Sequence, residues 1–387
     1  MTTQSAKSGT VKTHPVKLFS CDTHLEHWPT VLKNHIPEKF HDIFEKAPYM
    51  ASLFGTQDLY GPKGVNLGVL SGYGKMYEVR QGTIDTKNGN IPGASGGPKE
   101  YVEWLNIDGV QTALLHPGAA LGSCVGMAKG TKDRDTYLTF VRGYNNWLSD
   151  FCSEYPDRLA GAAMVPSTSI DDAIAEVQRV KNLPGILSIS PGSFPNGSNS
   201  PMPEDDKFWA ATLEVGMPIT LHGGISSPMN GLKTPQDAAA WIIGHVEITT
   251  GGPFSASQLI MSGVFDRFPE LRFIVLECGA GWLPFCMQQM DHFYDRQRFW
   301  AGIDIKNPPS WYCTSGNLIW NVISDRVAID ARDKIGVSNL TWCSDFPHGN
   351  AEFPYSRTKA MQLCAGLTDQ ERHDILWGNA ACFYGLE

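Results

Sequence analysis

Short apolar runs with strand character alternate with helix-like stretches along this 387-residue chain, and few folds accommodate that alternation. The strand candidates are Val16–Cys21, Val110–His116, Leu159–Val165, Gly185–Ser190, Met217–His222, Arg272–Glu277, a weaker run near Trp311–Ser315, and Asn339–Ser344. Helical stretches fall between them at Asp133–Tyr155, Ile170–Lys181, Asp205–Val215, Ala256–Phe268, Gly281–Gln297 and Asp325–Ile335. Thr168 or Ser169 can cap the second of these, and Pro269 stops the fourth. Eight strands in such alternation predict the α/β class and one (β/α)8 TIM barrel more readily than an open sheet.

Residues 16–387 are read as a single barrel domain preceded by a flexible segment, 1–15. Residues 28–95 break the pattern. They are rich in Gly, Pro, Asn and aromatic residues and follow the first strand, so the sequence predicts a long insertion over the active-site face. A second loop, Pro191–Pro203, follows the fourth strand and is expected to reach the same face.

Composition removes several classes of function. A net charge of −9 with no Lys/Arg run argues against nucleic acid as a partner. No apolar stretch approaches the roughly 18 residues of a membrane span, and the first residues lack the apolar core of a secretory signal. The nine cysteines are odd in number and contain no Cys-x-x-Cys pair, so they read as reduced core thiols of a cytoplasmic protein.

Four segments carry the chemistry: Cys21-Asp22-Thr23-His24, Leu221-His222-Gly223-Gly224, Leu276-Glu277-Cys278-Gly279 and Cys343-Ser344-Asp345-Phe346-Pro347-His348. Each lies where an apolar strand ends, and in a parallel barrel those ends open on one face. Asp22 and His24 are two residues apart, so strand alternation turns both to the same side. With His222 and Asp345 they make a mixed nitrogen and oxygen donor set. Such a set suits Zn²⁺ or Mn²⁺ better than Mg²⁺ or Ca²⁺. His348 is a candidate for steadying Asp345 or, equally, a loop-stabilising residue, and His116 and Trp282 are candidates for lining the pocket, although ordinary packing is the plainer reading of both. Glu26 is a reserve ligand, and Trp28, Tyr60, Tyr73 and Trp282 suggest a cyclic or aromatic compound.

Further stretches carry a resemblance: Cys21–His24, Gly263–Arg272, Glu277–Phe285, Leu340–His348 and Trp377–Tyr384. Together they make the chain similar to the amidohydrolase-related group of metal-dependent barrels, the branch that holds aminocarboxymuconate semialdehyde decarboxylase and resorcylate-type decarboxylases. The resemblance implies one divalent metal held by Asp22, His24, His222 and Asp345, a small-molecule substrate and a possible homodimer. On the sixth strand the characterised decarboxylases typically place a histidine before Gly-Gly, whereas this chain has Glu277.

A carboxylate there would repel an anionic substrate but could orient a water. Hydrolysis is therefore the first expectation: a metal-activated water attacks a carbonyl, Asp345 accepts and returns the proton, and Glu277 orients the water or binds substrate. Non-oxidative decarboxylation of an aromatic or muconate-like acid is the alternative. A barrel that binds without catalysis is the second alternative, opposed by four competent ligand positions.

Overall fold

The computed structural model describes residues 16–25, 27, 29–44, 96–225, 246, 249–348 and 351–386. Segment 1–15, most of the expected insertion (45–95), and Glu26, Trp28, Tyr60 and Tyr73 lie outside the described residues.

Eight strands pair in chain order and all in parallel: β1 Phe19–Leu25, β2 Thr112–Pro117, β3 Leu159–Val165, β4 Ile186–Pro191, β5 Ile219–His222, β6 Phe273–Leu276, β7 Leu318–Val322 and β8 Leu340–Trp342. A bridge between Thr23 and Phe346 joins the last strand's extension to the first, with His24 N donating to Phe346 O at 2.7 Å and Asp345 N to Asp22 O at 3.0 Å. The expected TIM barrel is thereby formed.

Helices form the outer layer: α1 Pro98–Asp108, α2 Ala119–Gly130, α3 Arg134–Ser153, α4 Ile170–Val180, α5 Asp206–Val215, α6 Gly251–Met261, α7 Val264–Arg267, α8 Leu283–Ala301, α9 Pro309–Thr314, α10 Arg326–Asp330, α11 Arg332–Ile335, α12 Ser356–Leu363, α13 Asp369–His373 and α14 Asn379–Tyr384. Their ends follow side-chain chemistry. Ser169 caps α4 by accepting from Asp172 N at 3.1 Å, and Asp133 caps α3 by accepting from Thr136 N at 3.0 Å.

Three expectations need correction. Trp311–Ser315 is not a strand: Pro308 and Pro309 set up a helix start, so Trp311 lies in α9 and the seventh strand runs from Leu318. The stretch Ala256–Phe268 is two helices, because Gly263 at φ 69° turns the chain between α6 and α7. Asp325–Ile335 is likewise two short helices, α10 and α11, meeting at Ala331.

One core lies between barrel and helices, and a second fills the barrel interior with Phe19, Leu114, Ile274, Leu276 and Ile319. The C-terminal helix α14 seals that interior core. Tyr384 packs its ring 5.5 Å from that of Phe19 and brings its hydroxyl within 3.1 Å of Thr220 Oγ1. Polar side chains are left for the other end of the barrel. All nine cysteines are free, but only seven lie in the core, since Cys286 is half-buried and Cys382 exposed; no described helix is long and apolar enough to cross a membrane.

Candidate active site

The two inward residues of β1 meet the end of β5. His24 Nε2 lies 3.2 Å from Asp22 Oδ1 and 3.3 Å from His222 Nε2, and His222 Nε2 is 3.4 Å from Asp22 Oδ1. Asp345 Oδ1 lies 3.2 Å from His24 Nε2 and forms a second trio with His24 and His348, so two sets of possible ligands share His24. The i, i+2 argument therefore places Asp22 and His24 together, although both sit inside β1 rather than past its end, which runs on to Leu25.

These residues could hold a metal. Asp22 and Asp345 are fully buried, and none of their four carboxylate oxygens has a hydrogen-bond partner. Orphaned buried carboxylates are costly unless a cation satisfies them. Ligands held about 2.05 Å from a tetrahedral ion are about 3.3 Å from one another, and the separations of 3.2–3.4 Å within the Asp22, His24 and His222 trio match that edge. His24 Nδ1 is turned away, 3.2 Å from Pro117 O, which leaves Nε2 for the centre.

Charge reinforces the geometry. Burial opposes ionisation of Asp22, yet His222 and His24 outweigh it and hold its carboxyl well below the usual range. Burial and His348 work against a charge on His24, but Asp22 and Asp345 raise it to about 9. Burial raises Asp345 less than His348 and His24 lower it. His116, by contrast, is pushed down to about 3 by burial, with His222 and His24 adding to that effect, and is neutral.

Glu277 follows β6 directly, with Oε2 3.6 Å from His222 Nε2. Burial pushes its carboxyl above the usual range, and the carboxylates of Asp345 and Asp22 act in the same direction against His222. Glu277 at φ 60° and Asp345 at φ 51° both occupy the left-handed backbone region that favours glycine. His348 stacks on His24 with ring centroids 3.7 Å apart and brings Nδ1 within 3.2 Å of Asp345 Oδ1, the contact anticipated for it.

His116 and His222 also line a cavity of about 290 Å³ between α2, α3 and the ends of β3 and β4. Trp282 is not part of its lining. Its indole N–H donates to Cys278 O at 2.8 Å and its ring packs edge-on against Trp320, so it acts as packing rather than as a pocket wall there. The start of the Pro191–Pro203 loop does reach the cavity, through Pro191 and Gly192.

A family model described as amidohydrolase matches residues 94–386. The chain belongs to the amidohydrolase family. It is 24% identical over 304 residues to a gamma-resorcylate decarboxylase of Polaromonas sp. (strain JS666), which covers 74% of this chain and 86% of that protein. It is 23% identical over 297 residues to a 2-amino-3-carboxymuconate-6-semialdehyde decarboxylase of Dictyostelium discoideum, covering 75% and 77%. Among solved structures, a 5-carboxyvanillate decarboxylase of Novosphingobium aromaticivorans complexed with manganese and 4-hydroxy-3-methoxy-5-nitrobenzoic acid superposes with a TM-score of 0.68 at 16% identity, covering 100% of both chains.

The amidohydrolase match begins after Asp22 and His24, so the barrel geometry alone ties that pair to His222 and Asp345. Sequence reasoning missed the group that anchors this amidohydrolase's first and last strands. Ser20 Oγ donates to Asp22 O at 2.8 Å, accepts from Ser344 N at 2.9 Å and from Thr23 Oγ1 at 2.9 Å, and lies 3.0 Å from Ser344 Oγ. Two serines 324 residues apart give no sequence signal. Gly122, Gly126 and Lys129 of α2, which line the cavity, were also missed, because a small-residue helix shows no amphipathic stripe.

Proposed function

We propose that the protein is a non-oxidative decarboxylase, a carboxy-lyase acting on a small aromatic acid, with Asp22, His24, His222 and Asp345 holding one Mn²⁺ or Zn²⁺. The observation that carries this is the convergence of Asp22, His24 and His222 at the barrel mouth, with Asp345 reaching the same His24 and the buried carboxylate oxygens facing imidazoles. The decarboxylase relatives support the choice of reaction. A divalent ion there would bind the substrate's oxygen atoms and draw off negative charge.

The case for hydrolysis rests on repulsion between Glu277 and an acid. That repulsion is weakened by the burial that pushes the Glu277 carboxyl above its usual range, because burial disfavours the charged form. The weight accordingly moves to the decarboxylase. In the reaction the bond between ring and carboxylate breaks, its electron pair stays on the ring carbon and takes a proton, and carbon dioxide leaves. Asp345, held ionised by His348 and His24, serves as ligand, and the proton role passes to Glu277 Oε2. His24 and His348, stacked, keep Asp345 in place. Hydrolysis keeps one supporting observation, since a carboxylate 3.6 Å from His222 is also placed to orient water.

The test is carbon dioxide release from 2,6-dihydroxybenzoate and 5-carboxyvanillate by the Mn²⁺-loaded protein. Release equal to aromatic product, lost on chelation and reduced at least a hundredfold in Glu277→Gln with Mn²⁺ retained, is expected. A metal-loaded protein that opens a lactone or amide and leaves every hydroxybenzoate intact would overturn the proposal.

A further inference from the structure

The cavity beside the metal-ligand cluster has a polarity opposite to it. Asp22, Asp345 and Glu277 gather carboxyl groups at the barrel mouth, whereas among the described residues no acidic side chain lines the cavity and Lys129 does. Lys129 makes no ion pair among the described residues; its nearest aromatic neighbour is the Tyr137 ring, 6.0 Å from Nζ. Gly122, Gly126 and Lys129 are spaced i, i+4, i+7 on α2, so they share one face that runs for two turns, about 10 Å.

The glycines hold that face open. A Cβ at either Gly122 or Gly126 would meet nothing within 4 Å. Met164 and Val165 of β3 also line the cavity and give it an apolar surface against which a flat body can lie. Small residues on a helix do not by themselves make a site, but a second observation points to a ligand. His116, which lines this cavity, is 1% exposed, and neither of its ring nitrogens makes a well-formed hydrogen bond, the backbone of Cys21 offering only a weak one. A buried imidazole so short of partners is costly unless something else supplies them.

We propose that this cavity is a subsite for the part of the substrate remote from the reacting carboxylate, that Gly122 and Gly126 set its width, and that Lys129 pairs there with a second anionic group. His116 would hydrogen-bond the body of the substrate between the two ends. The substrate class is then a flat acid with negative groups at both ends, an aromatic dicarboxylate. This rests on the decarboxylase reading only for the position of the first carboxylate.

The experiment compares terephthalate with 4-methylbenzoate, which share ring and first carboxylate and differ in the second, by calorimetric titration of the Mn²⁺-loaded full chain. The wild type is expected to bind terephthalate at least tenfold more tightly. Lys129→Met should cut terephthalate affinity at least tenfold and change 4-methylbenzoate by less than twofold. Gly126→Leu should weaken both at least tenfold while Mn²⁺ affinity and melting temperature stay unchanged. No preference in the wild type, or an equal effect of Lys129→Met on both acids, overturns the subsite. Carbon dioxide release is scored separately, so loss of the terephthalate preference in a protein that still decarboxylates refutes the subsite alone. A preference in a protein without decarboxylation supports the subsite and refutes the reaction.

Discussion

Ser20→Ala tests how the barrel is closed where its ligands are aimed. The hydroxyl is fully buried and connects β1 to the extension of β8 through Asp22 O, Ser344 N and Thr23 Oγ1. Removing it leaves the Ser344 N–H without an acceptor in a place water does not reach, a cost of about 1–3 kcal/mol. The bond to Asp22 O is lost as well, for about 1 kcal/mol more, although that carbonyl keeps Asp345 N at 3.0 Å. The sum is about 3 kcal/mol. For a chain of 387 residues, unfolding entropy near 2.1 cal/mol/K per residue converts this to a fall in melting temperature of about 4 °C.

A second effect separates aim from stability. Asp22 and Asp345 both hang on this connection, and loss of a group that orients ligands typically lowers metal affinity tenfold to a hundredfold. Melting of the chelated protein by circular dichroism reads the first effect, and Mn²⁺ titration by calorimetry reads the second. A melting shift below about 1 °C would refute the account of closure. A normal melting shift with unchanged Mn²⁺ affinity would refute the idea that Ser20 positions the ligands.

Three other outcomes follow from the same contacts. Chelation should lower the melting temperature, and Mn²⁺ at a hundred times its dissociation constant should restore about 2.7 kcal/mol; Asp22→Asn should abolish the restoration, and an unaffected variant would remove Asp22 from the metal site. Asp172 is held below the usual carboxylate range by hydrogen bonds from Arg134, so its contribution is present above its unfolded value of about 3.9 and is lost as pH falls through the lower folded one. Urea midpoints of wild type and Arg134→Met should therefore differ at pH 6, with the gap narrowing as pH falls below about 3.9, and a constant gap would contradict this. Cys382 is exposed, Cys286 half-buried and the other seven thiols are buried, so a thiol reagent should titrate one group quickly, a second slowly and seven only after denaturation. Two or more equally fast groups would count against the fold around them.

The barrel was legible because its strands are buried on both faces and read as apolar runs. Seven of the eight were located, with shifts of a few residues at their ends. The seventh strand was misplaced because Trp311-Tyr312-Cys313-Thr314 has the aromatic and β-branched composition of a strand, while the preceding prolines make it a helix. Helix α2 escaped notice because Ala119–Gly130 is built of small residues with no polar face to contrast with an apolar one. The Asp22, His24 and His222 cluster was legible from alternation and strand ends, and Asp345 joins it through a contact 3.2 Å from His24. What the sequence hid was contact between distant segments: Ser20 with Ser344, His24 stacked on His348, and the open face of α2 turned toward His116.

Backbone conformation gives the site an independent signature. Among the described residues, the non-glycine residues with positive φ are Lys132, Glu277 and Asp345. Lys132 lies in the turn between α2 and α3, where such a conformation needs no special account. Glu277 directly follows β6, Asp345 lies three residues beyond Trp342 at the end of β8, and they carry the two carboxyl groups given distinct roles in the proposed reaction. A left-handed residue with a side chain costs about 1–3 kcal/mol and persists where its surroundings over-determine it. For Asp345 the determinants are visible: its N–H is fixed by Asp22 O, its carbonyl accepts from His348 N at 2.8 Å, and its carboxylate meets His24 and His348. Glycine at either position would relieve the strain and delete the carboxyl group. A carboxylate at both strained positions therefore supports the proposed roles of these two groups, one held ionised beside the imidazoles and one pushed toward its neutral form by burial.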